Sequence, residues 1–259
     1  DFRYDFATNY SNGRAMVCNE GAWGMIDEIG NEIIKPLYDN IDFLPKSDRK
    51  LFFISQNIHL KGALDDHSKI IVPVNYTKIR SFKDNLIAVR NIYRRWGFVN
   101  RSAQEVIPAT FRQANDFSEG LAVVYHQSKW GAINSDGAFE IEPIYSQMGN
   151  FKEGKAWVRL KNGKKGYVNK DGAVLFAGAY SKLTDFKDSV ARVYIRKKGW
   201  GLIDVQGNYI LKPQKRFSRI EPFNDYGIAK VKIGNKYRLI NREGKFLGKQ
   251  SYGTIRPFV

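Results

Sequence analysis

From Gly120 to Tyr125 the chain alternates so that small or branched side chains share one face, the period-two pattern of a strand packed tightly on one side. His126, Gln127 and Ser128 turn the chain back, and residues 129–134 read as a second strand. A turn at Asp136-Gly137 leads to a third strand over residues 139–141. Pro143 is expected to end that strand, because proline has no N–H to give a ladder. A short fourth segment then runs over residues 145–151. The pattern predicts units of three or four short strands joined by tight hairpins. No window carries the 3.6-residue period of a long amphipathic helix.

The same unit recurs along the whole chain. Trp-Gly stands at Trp23-Gly24, Trp96-Gly97, Trp130-Gly131 and Trp200-Gly201, while Lys61-Gly62 and Lys165-Gly166 keep the glycine and lose the tryptophan. Tyr237-Arg238 is a degenerate seventh copy, and successive spacings from residue 24 are 38, 35, 34, 35, 35 and 37. Three residues after each glycine position comes Asp or Asn: Asp27, Asp65, Asn100, Asn134, Asn169, Asp204 and Asn241. Six residues after it comes Gly30, Gly137, Gly172, Gly207 or Gly244, with Ser68 and Ala103 in the remaining copies. Asp or Asn first and Gly fourth is the preference of a type I turn.

A third landmark is a pair of aromatics six residues apart: Tyr4/Tyr10, Tyr76/Phe82, Phe111/Phe117, Tyr145/Phe151, Tyr180/Phe186, Phe217/Phe223 and Tyr252/Phe258, with Tyr38/Phe43 the same pair one residue shorter. Gly-x-Ala-x-Val follows several of them, as in Gly120-Ala122-Val124 and Gly154-Ala156-Val158. The run Phe117-Ser118-Glu119-Gly120-Leu121-Ala122, then Lys129-Trp130-Gly131-Ala132-Ile133-Asn134, then Pro143 and Tyr145, resembles the unit of the WG-repeat (KWG) family. The resemblance covers essentially the whole chain, residues 1–259, as one repeat domain with glycine positions near 24, 62, 97, 131, 166, 201 and 238. It implies a mostly bacterial, β-rich repeat protein and no particular activity. The second copy departs most, with the extra segment of residues 44–50.

One such unit cannot bury its apolar face alone, so the units must stack. The expected fold is all-β, seven units of about 35 residues closing as a seven-bladed β-propeller, with an open β-superhelix or solenoid as the alternative. Eight aromatic pairs against seven glycine positions mean either that the terminal copies share a closing blade or that the stack is open. A glycine inside a strand is locally unfavourable, so Gly24, Gly97, Gly131, Gly166 and Gly201 are read as admitting a neighbouring backbone or a ring of the adjacent unit. Trp23, Trp96, Trp130 and Trp200 are then structural, covering the next unit's sheet.

Composition narrows the classes. Of 259 residues, 14% are aromatic and 26% charged, the profile of a folded protein. There is no apolar run of about 20 residues to cross a membrane as a helix. One cysteine, Cys18, makes no disulfide framework and reads as a buried structural thiol. The chain opens on Asp1 without an initiator Met or signal peptide, the expectation for a mature protein or a piece of a longer one with further domains.

Net charge is +16, unevenly placed: residues 130–259 carry 25 Lys+Arg against 11 Asp+Glu, and residues 1–129 carry 17 against 15. The cations gather before the glycine position: Arg90, Arg94 and Arg95, then Lys129, then Lys161, Lys164 and Lys165, then Arg196, Lys197 and Lys198, then Lys232 and Lys236. Equivalent loops of a repeat share a surface, so Arg94, Arg95, Lys129, Lys161, Lys164, Arg196, Lys197, Lys198 and Lys236 are the expected anion-binding arc. Solubilising lysines at hairpin tips are the competing explanation. Only Tyr93 and Trp157 supply the aromatics that base stacking needs, which disfavours nucleic acid.

No chemistry-bearing motif stands out. Asp65-Asp66-His67 occupies a turn, not a metal site, and no phosphate loop or nucleophile elbow occurs. Glu119, Glu153 and Asp188 hold matching repeat positions and read as structural. The expectation is therefore a non-enzymatic scaffold, without metal or cofactor, that binds another protein or an anionic polymer at a periplasmic or cell-envelope location. The alternative is a glycan-binding or glycan-processing propeller with exposed aromatics and paired carboxylates at a central opening.

Overall fold

The computed structural model describes residues 3–11, 13–43, 51–57, 59–65 and 67–255. The inserted segment 44–50, Asp66 and Phe258 lie outside them. The described residues form strands and turns and no helix, arranged as seven antiparallel sheets that match the seven repeats. Sheet 1 covers residues 6–38, sheet 2 residues 40–76, sheet 3 residues 78–111 and sheet 4 residues 113–145. Sheets 5, 6 and 7 cover residues 147–178, 182–214 and 217–241. Six have four strands and the seventh three, always in plain chain order, the meander of a propeller blade. The chain divides into two compact units, one of residues 1–117 with 135–138, the other of residues 118–134 with 139–259.

Cores form between successive sheets. In the first unit Met25 and Ile34 of sheet 1 pack with Ile41, Phe52 and Ile54 of sheet 2. In the second, Val123, Ala132 and Ile141 of sheet 4 pack with Met148, Val158 and Val168 of sheet 5, and Leu202 and Leu211 of sheet 6 pack with Phe217, Ile220 and Val231 of sheet 7. The tryptophans join these shared clusters: Trp23, Trp130 and Trp200 lie half-buried against them, and Trp96 is buried. Cys18 is buried in the strand Arg14–Asn19.

The repeated glycine faces a backbone, not a ring. A Cβ on Gly97 would stand 2.5 Å from the Ile107 carbonyl oxygen and 2.6 Å from the Ala109 nitrogen, and one on Gly201 2.7 Å from the Leu211 oxygen. Gly24, Gly62, Gly131 and Gly166 meet the same strand of their own sheets. In sheets 1 to 4 the crowding coincides with a bulge, whereas Gly166 meets the Phe176 oxygen without one. Trp130 pairs with Tyr145 and Ala132 with Ile141, so two extra residues of the fourth strand swell over Gly131. Pro143 sits in that bulge, where no ladder N–H is needed, and the strand Phe139–Tyr145 runs through it. The expectation that Pro143 ends the strand is thereby corrected.

The expected fourth segment, residues 145–151, is also reassigned. Its strand Gln147–Met148 pairs with Ala156–Arg159 and opens sheet 5, because Tyr145 has already completed sheet 4. Tyr38/Phe43, Tyr76/Phe82, Phe111/Phe117 and Tyr145/Phe151 thus each straddle a boundary between sheets, and Phe258 of the last pair lies outside the described residues. Tyr252 exchanges backbone hydrogen bonds of 2.7 and 2.8 Å with Tyr237, adding a bridge to the last sheet from its own end of the chain.

The turns follow the expected chemistry. Asp27 Oδ1 accepts the N–H groups of Ile29 and Asn31, and Asn100 Oδ1 those of Ser102 and Gln104. The fourth turn residue has positive φ in all seven copies, including Ser68 at 63° and Ala103 at 62°. At the same end of the sheets, the turns between first and second strands link up. The Glu119 carboxylate accepts the N–H groups of Glu153 and Gly154 at 2.7 and 2.8 Å, Glu153 accepts Ser189 N–H at 2.8 Å, and Asp188 pairs with Arg242 at 3.1 Å. Those repeat-matched acids are therefore clasps between successive sheets.

Two substitutions test these constraints by urea denaturation. Gly97→Ala is expected to lose about 1–3 kcal/mol, since strand backbone has to move aside. Ala103→Gly is expected to gain up to about 1 kcal/mol, because the left-handed strain it removes exceeds the entropy glycine adds to the unfolded chain.

Candidate functional site

The meander gives each sheet two unlike ends. The turns just described occupy one; the hairpin between second and third strands and the crossing to the next sheet occupy the other. All nine cations of the expected arc lie at hairpin ends and all are exposed. None of their side chains has an ion-pair partner among the described residues. Arg94 and Arg95 belong to the first unit, beside the exposed Tyr93. Lys129, Lys161, Lys164, Arg196, Lys197, Lys198 and Lys236 belong to the second.

In the second unit the hairpin end is cationic throughout. It comprises residues 126–129, 146–147, 159–165, 179–182, 195–199, 214–216 and 233–236, which contain twelve Lys and Arg and no Asp or Glu. Glu119, Glu153, Asp171, Asp188, Asp204 and Glu243 all sit in turns at the opposite end, among cations such as Lys170 and Arg242 that pair with them. Arg159, Lys182, Lys215 and Arg216 were missed as site residues by the sequence reading. Three of them, Lys182, Lys215 and Arg216, lie on the crossings between sheets.

Sheet 5 departs from its neighbours at this end. In sheet 4, Tyr125, Trp130 and Tyr145 face one another across three strands, and Tyr125 and Trp130 stack with centroids 5.1 Å apart. The corresponding row of sheet 5 reads Gln147, Arg159, Lys165 and Gly178. Lys165 takes the tryptophan's slot. Gly178 takes the position of Pro36, Pro143 and Pro213, and the strand Val174–Gly178 pairs with Lys165–Val168 without the usual two-residue swelling. The repeat's tyrosine, Tyr180, is carried two residues past the slot, its ring lying against Gly178.

A cleft of about 520 Å³ opens there, lined by Arg159, Lys164, Lys165, Gln147, Asn162 and Ser181 together with Gly163, Ala179 and Tyr180. Burial, and then the Arg159 charge, hold the Lys165 ammonium below the usual lysine range. The same ammonium lies 5.4 Å from the centre of the Trp157 ring. Trp157 packs over Gly149 and is half-buried. Burial pushes the Tyr180 phenol up to about 12, with Tyr209 contributing.

The other lysine in a tryptophan slot shows a milder version. Lys61 pairs with Tyr76 across a bulge of the usual kind, and a cleft of about 310 Å³ is lined by Lys61, Thr77, Lys78, Ile79, Arg80 and Trp96. Here Arg80 is partly neutralised by Asp116 at 3.3 Å and stacks on Trp96 at 4.3 Å.

Elsewhere, Asp185 and Glu221 line a cleft of about 110 Å³ at the turn end of sheets 6 and 7. Burial raises the Asp185 carboxyl above the usual aspartate range, opposed by Lys152, while Glu221 pairs with Lys230 at 3.6 Å. Asp65 Oδ1 accepts the N–H groups of His67 and Lys69, the geometry of a turn. Among the described residues no three His, Cys, Asp or Glu side chains gather as a metal site. No helix there is long and apolar enough to cross a membrane.

Removing the neighbouring charge tests the electrostatics of the cleft. In an Arg159→Gln variant the Lys165 ammonium is expected to titrate at higher pH than in the parent, read by NMR at its Cε methylene. The burial contribution remains, so the rise stops short of an exposed lysine's value.

The family described as "WG containing repeat" matches residues 1–21, 23–57, 62–91, 96–130, 130–164, 166–198 and 200–237. No curated protein matches the chain in sequence. Among solved structures, the crystal structure of a eukaryotic initiation factor is 12% identical with a TM-score of 0.54, covering 93% of this chain and 73% of the other. BamB from Moraxella catarrhalis is 10% identical with a TM-score of 0.44, over 96% of this chain and 83% of its own. The computationally designed Ika8 protein is 11% identical with a TM-score of 0.45, over 95% and 85%. At 12% identity the likeness to the initiation factor is one of fold alone.

Proposed function

The chain belongs to the WG-containing repeat family, and from that premise we propose that it is a non-enzymatic scaffold that binds an anionic partner, another protein or a polymer, through the hairpin ends of its sheets. The observation that carries the reading is the separation of charge in the second unit: twelve cations and no acid at one end, with the turn acids at the other. Lysines placed only for solubility have no reason to avoid acids, and surface charge of mixed sign serves that purpose as well. A one-signed face instead raises the local concentration of an anion and speeds its encounter. The reading includes a location at the bacterial cell envelope, where anionic polymers are plentiful.

The glycan reading asks for exposed ring faces beside paired carboxylates. The nearest acid pair, Asp185 and Glu221, shares its 110 Å³ cleft with Phe223, which is buried, and the repeat tryptophans are packed between sheets. Those features favour the anionic partner.

The test is a triple charge reversal, Arg196→Glu, Lys197→Glu and Lys198→Glu, with poly-glutamate as the probe. At low salt its affinity is expected to fall about tenfold or more, and the dependence of log Kd on log salt to flatten. Unchanged affinity and salt slope in a folded variant would sink the proposal.

A further inference from the structure

We propose that the cleft at Lys165 is a discrete binding site for a phosphate group, either the free dianion or a phosphomonoester. The inference rests on the scaffold reading and names the chemical group that one part of the hairpin face would take.

Three observations point to it. First, the cleft is a local departure from the repeat. In sheet 4 the row Tyr125–Trp130–Tyr145 fills this place with three rings, whereas sheet 5 has Arg159, Lys165 and Gly178 in the same register. Two changes coincide: lysine stands for tryptophan, and Gly178 stands where sheets 1, 4 and 6 have proline, while the strand pairs with Lys165 and Gly166 without swelling and Tyr180 lies out of the slot. Sheet 2 has the first change alone and a smaller cleft, about 310 Å³ against 520 Å³.

Second, the lining is arranged for an anion of more than one charge. Arg159, Lys164 and Lys165 line the cleft, and no carboxylate does. None of the three has an ion-pair partner among the described residues. In sheet 2, by contrast, Arg80 is answered by Asp116. Arg159 and Lys165 sit directly opposite each other on neighbouring strands, a repulsion that a bound dianion offsets. Third, neutral donors stand beside the charges: the Gln147 and Asn162 amides and the Ser181 hydroxyl. A guanidinium that forks onto two oxygens, two ammonium groups and amide donors suit a tetrahedral oxyanion with several acceptors better than a monocarboxylate.

The experiment titrates the folded chain with sodium phosphate, phosphoserine and acetate at matched ionic strength, following binding by calorimetry and by the Lys165 NMR signal. Saturable binding of both phosphate probes, at least tenfold tighter than acetate, is expected. Tighter binding of phosphoserine would assign the ester as the natural source, and equal binding the free ion. Lys165→Trp restores the ring that sheets 1, 3, 4 and 6 carry in this slot and is expected to abolish phosphate binding. Arg159→Gln and Lys165→Gln remove charge without adding bulk, and each is expected to weaken phosphate at least tenfold. Phosphate binding no tighter than acetate, or unchanged in the Gln variants, would overturn the site. The triple reversal at residues 196–198 leaves the cleft lining intact. Loss of phosphate binding in Lys165→Trp with poly-glutamate binding kept isolates the cleft from the wider face. Poly-glutamate binding unmoved by the triple reversal while phosphate still saturates would remove the scaffold reading alone.

Discussion

Everything in this chain hangs on a glycine held against a carbonyl. In the third strand of each regular sheet, a residue without Cβ lets the swollen fourth strand press onto it, at a distance no side chain tolerates. The swelling, not the contact alone, goes with the register at the hairpin end: Gly166 is held against the Phe176 carbonyl as well, but in sheet 5 the fourth strand does not swell and no aromatic arrives at the slot. Where the swelling is present, as in sheets 1 and 4, Trp23 meets Tyr38 and Trp130 meets Tyr145, and the rings close the core between sheets. Where it is missing, in sheet 5, the slot residue meets Gly178 and a cleft results. A backbone constraint in a strand thus governs the chemistry of a surface.

Charge obeys the same geometry. The turn end must answer many backbone N–H groups in tight turns with positive φ, and short acidic or amide side chains do this, as Asp27, Asn100 and Asp204 show. Acids are therefore useful at that end. At the hairpin end neutral amides meet this demand, Asn91 and Asn162 each accepting a backbone N–H. In the second unit the charged side chains of that end are uniformly basic.

Much of this was legible in the sequence. The period near 35, the Asp/Asn–Gly turns and the clustering of Lys and Arg before each glycine are local features, and local features survive in a linear reading. The phase of the sheets was not legible: a periodic chain has no marked beginning, and whether residues 145–151 end one unit or start the next depends on hydrogen bonds between strands. The role of Pro143 failed for a related reason, since a proline in a bulge and one that stops a strand look alike until register is known. Lys165 read as a degenerate tryptophan position. Its significance depended on Gly178, whose place in the row opposite the lysine emerges only from pairing. Gly178 standing where Pro143 and Pro213 stand was the available signal.

The clasps formed by Glu119, Glu153 and Asp188 have a mechanical consequence. They bind successive sheets of the second unit along one edge, as a spine binds pages, with short charge-assisted bonds. The fore-edge, where the basic tips stand, has the covalent crossings and the packed rings behind it and no matching row of clasps among these residues. The two ends of the second unit are therefore fastened differently, by side-chain bonds between neighbouring turns at one and by the covalent crossings at the other.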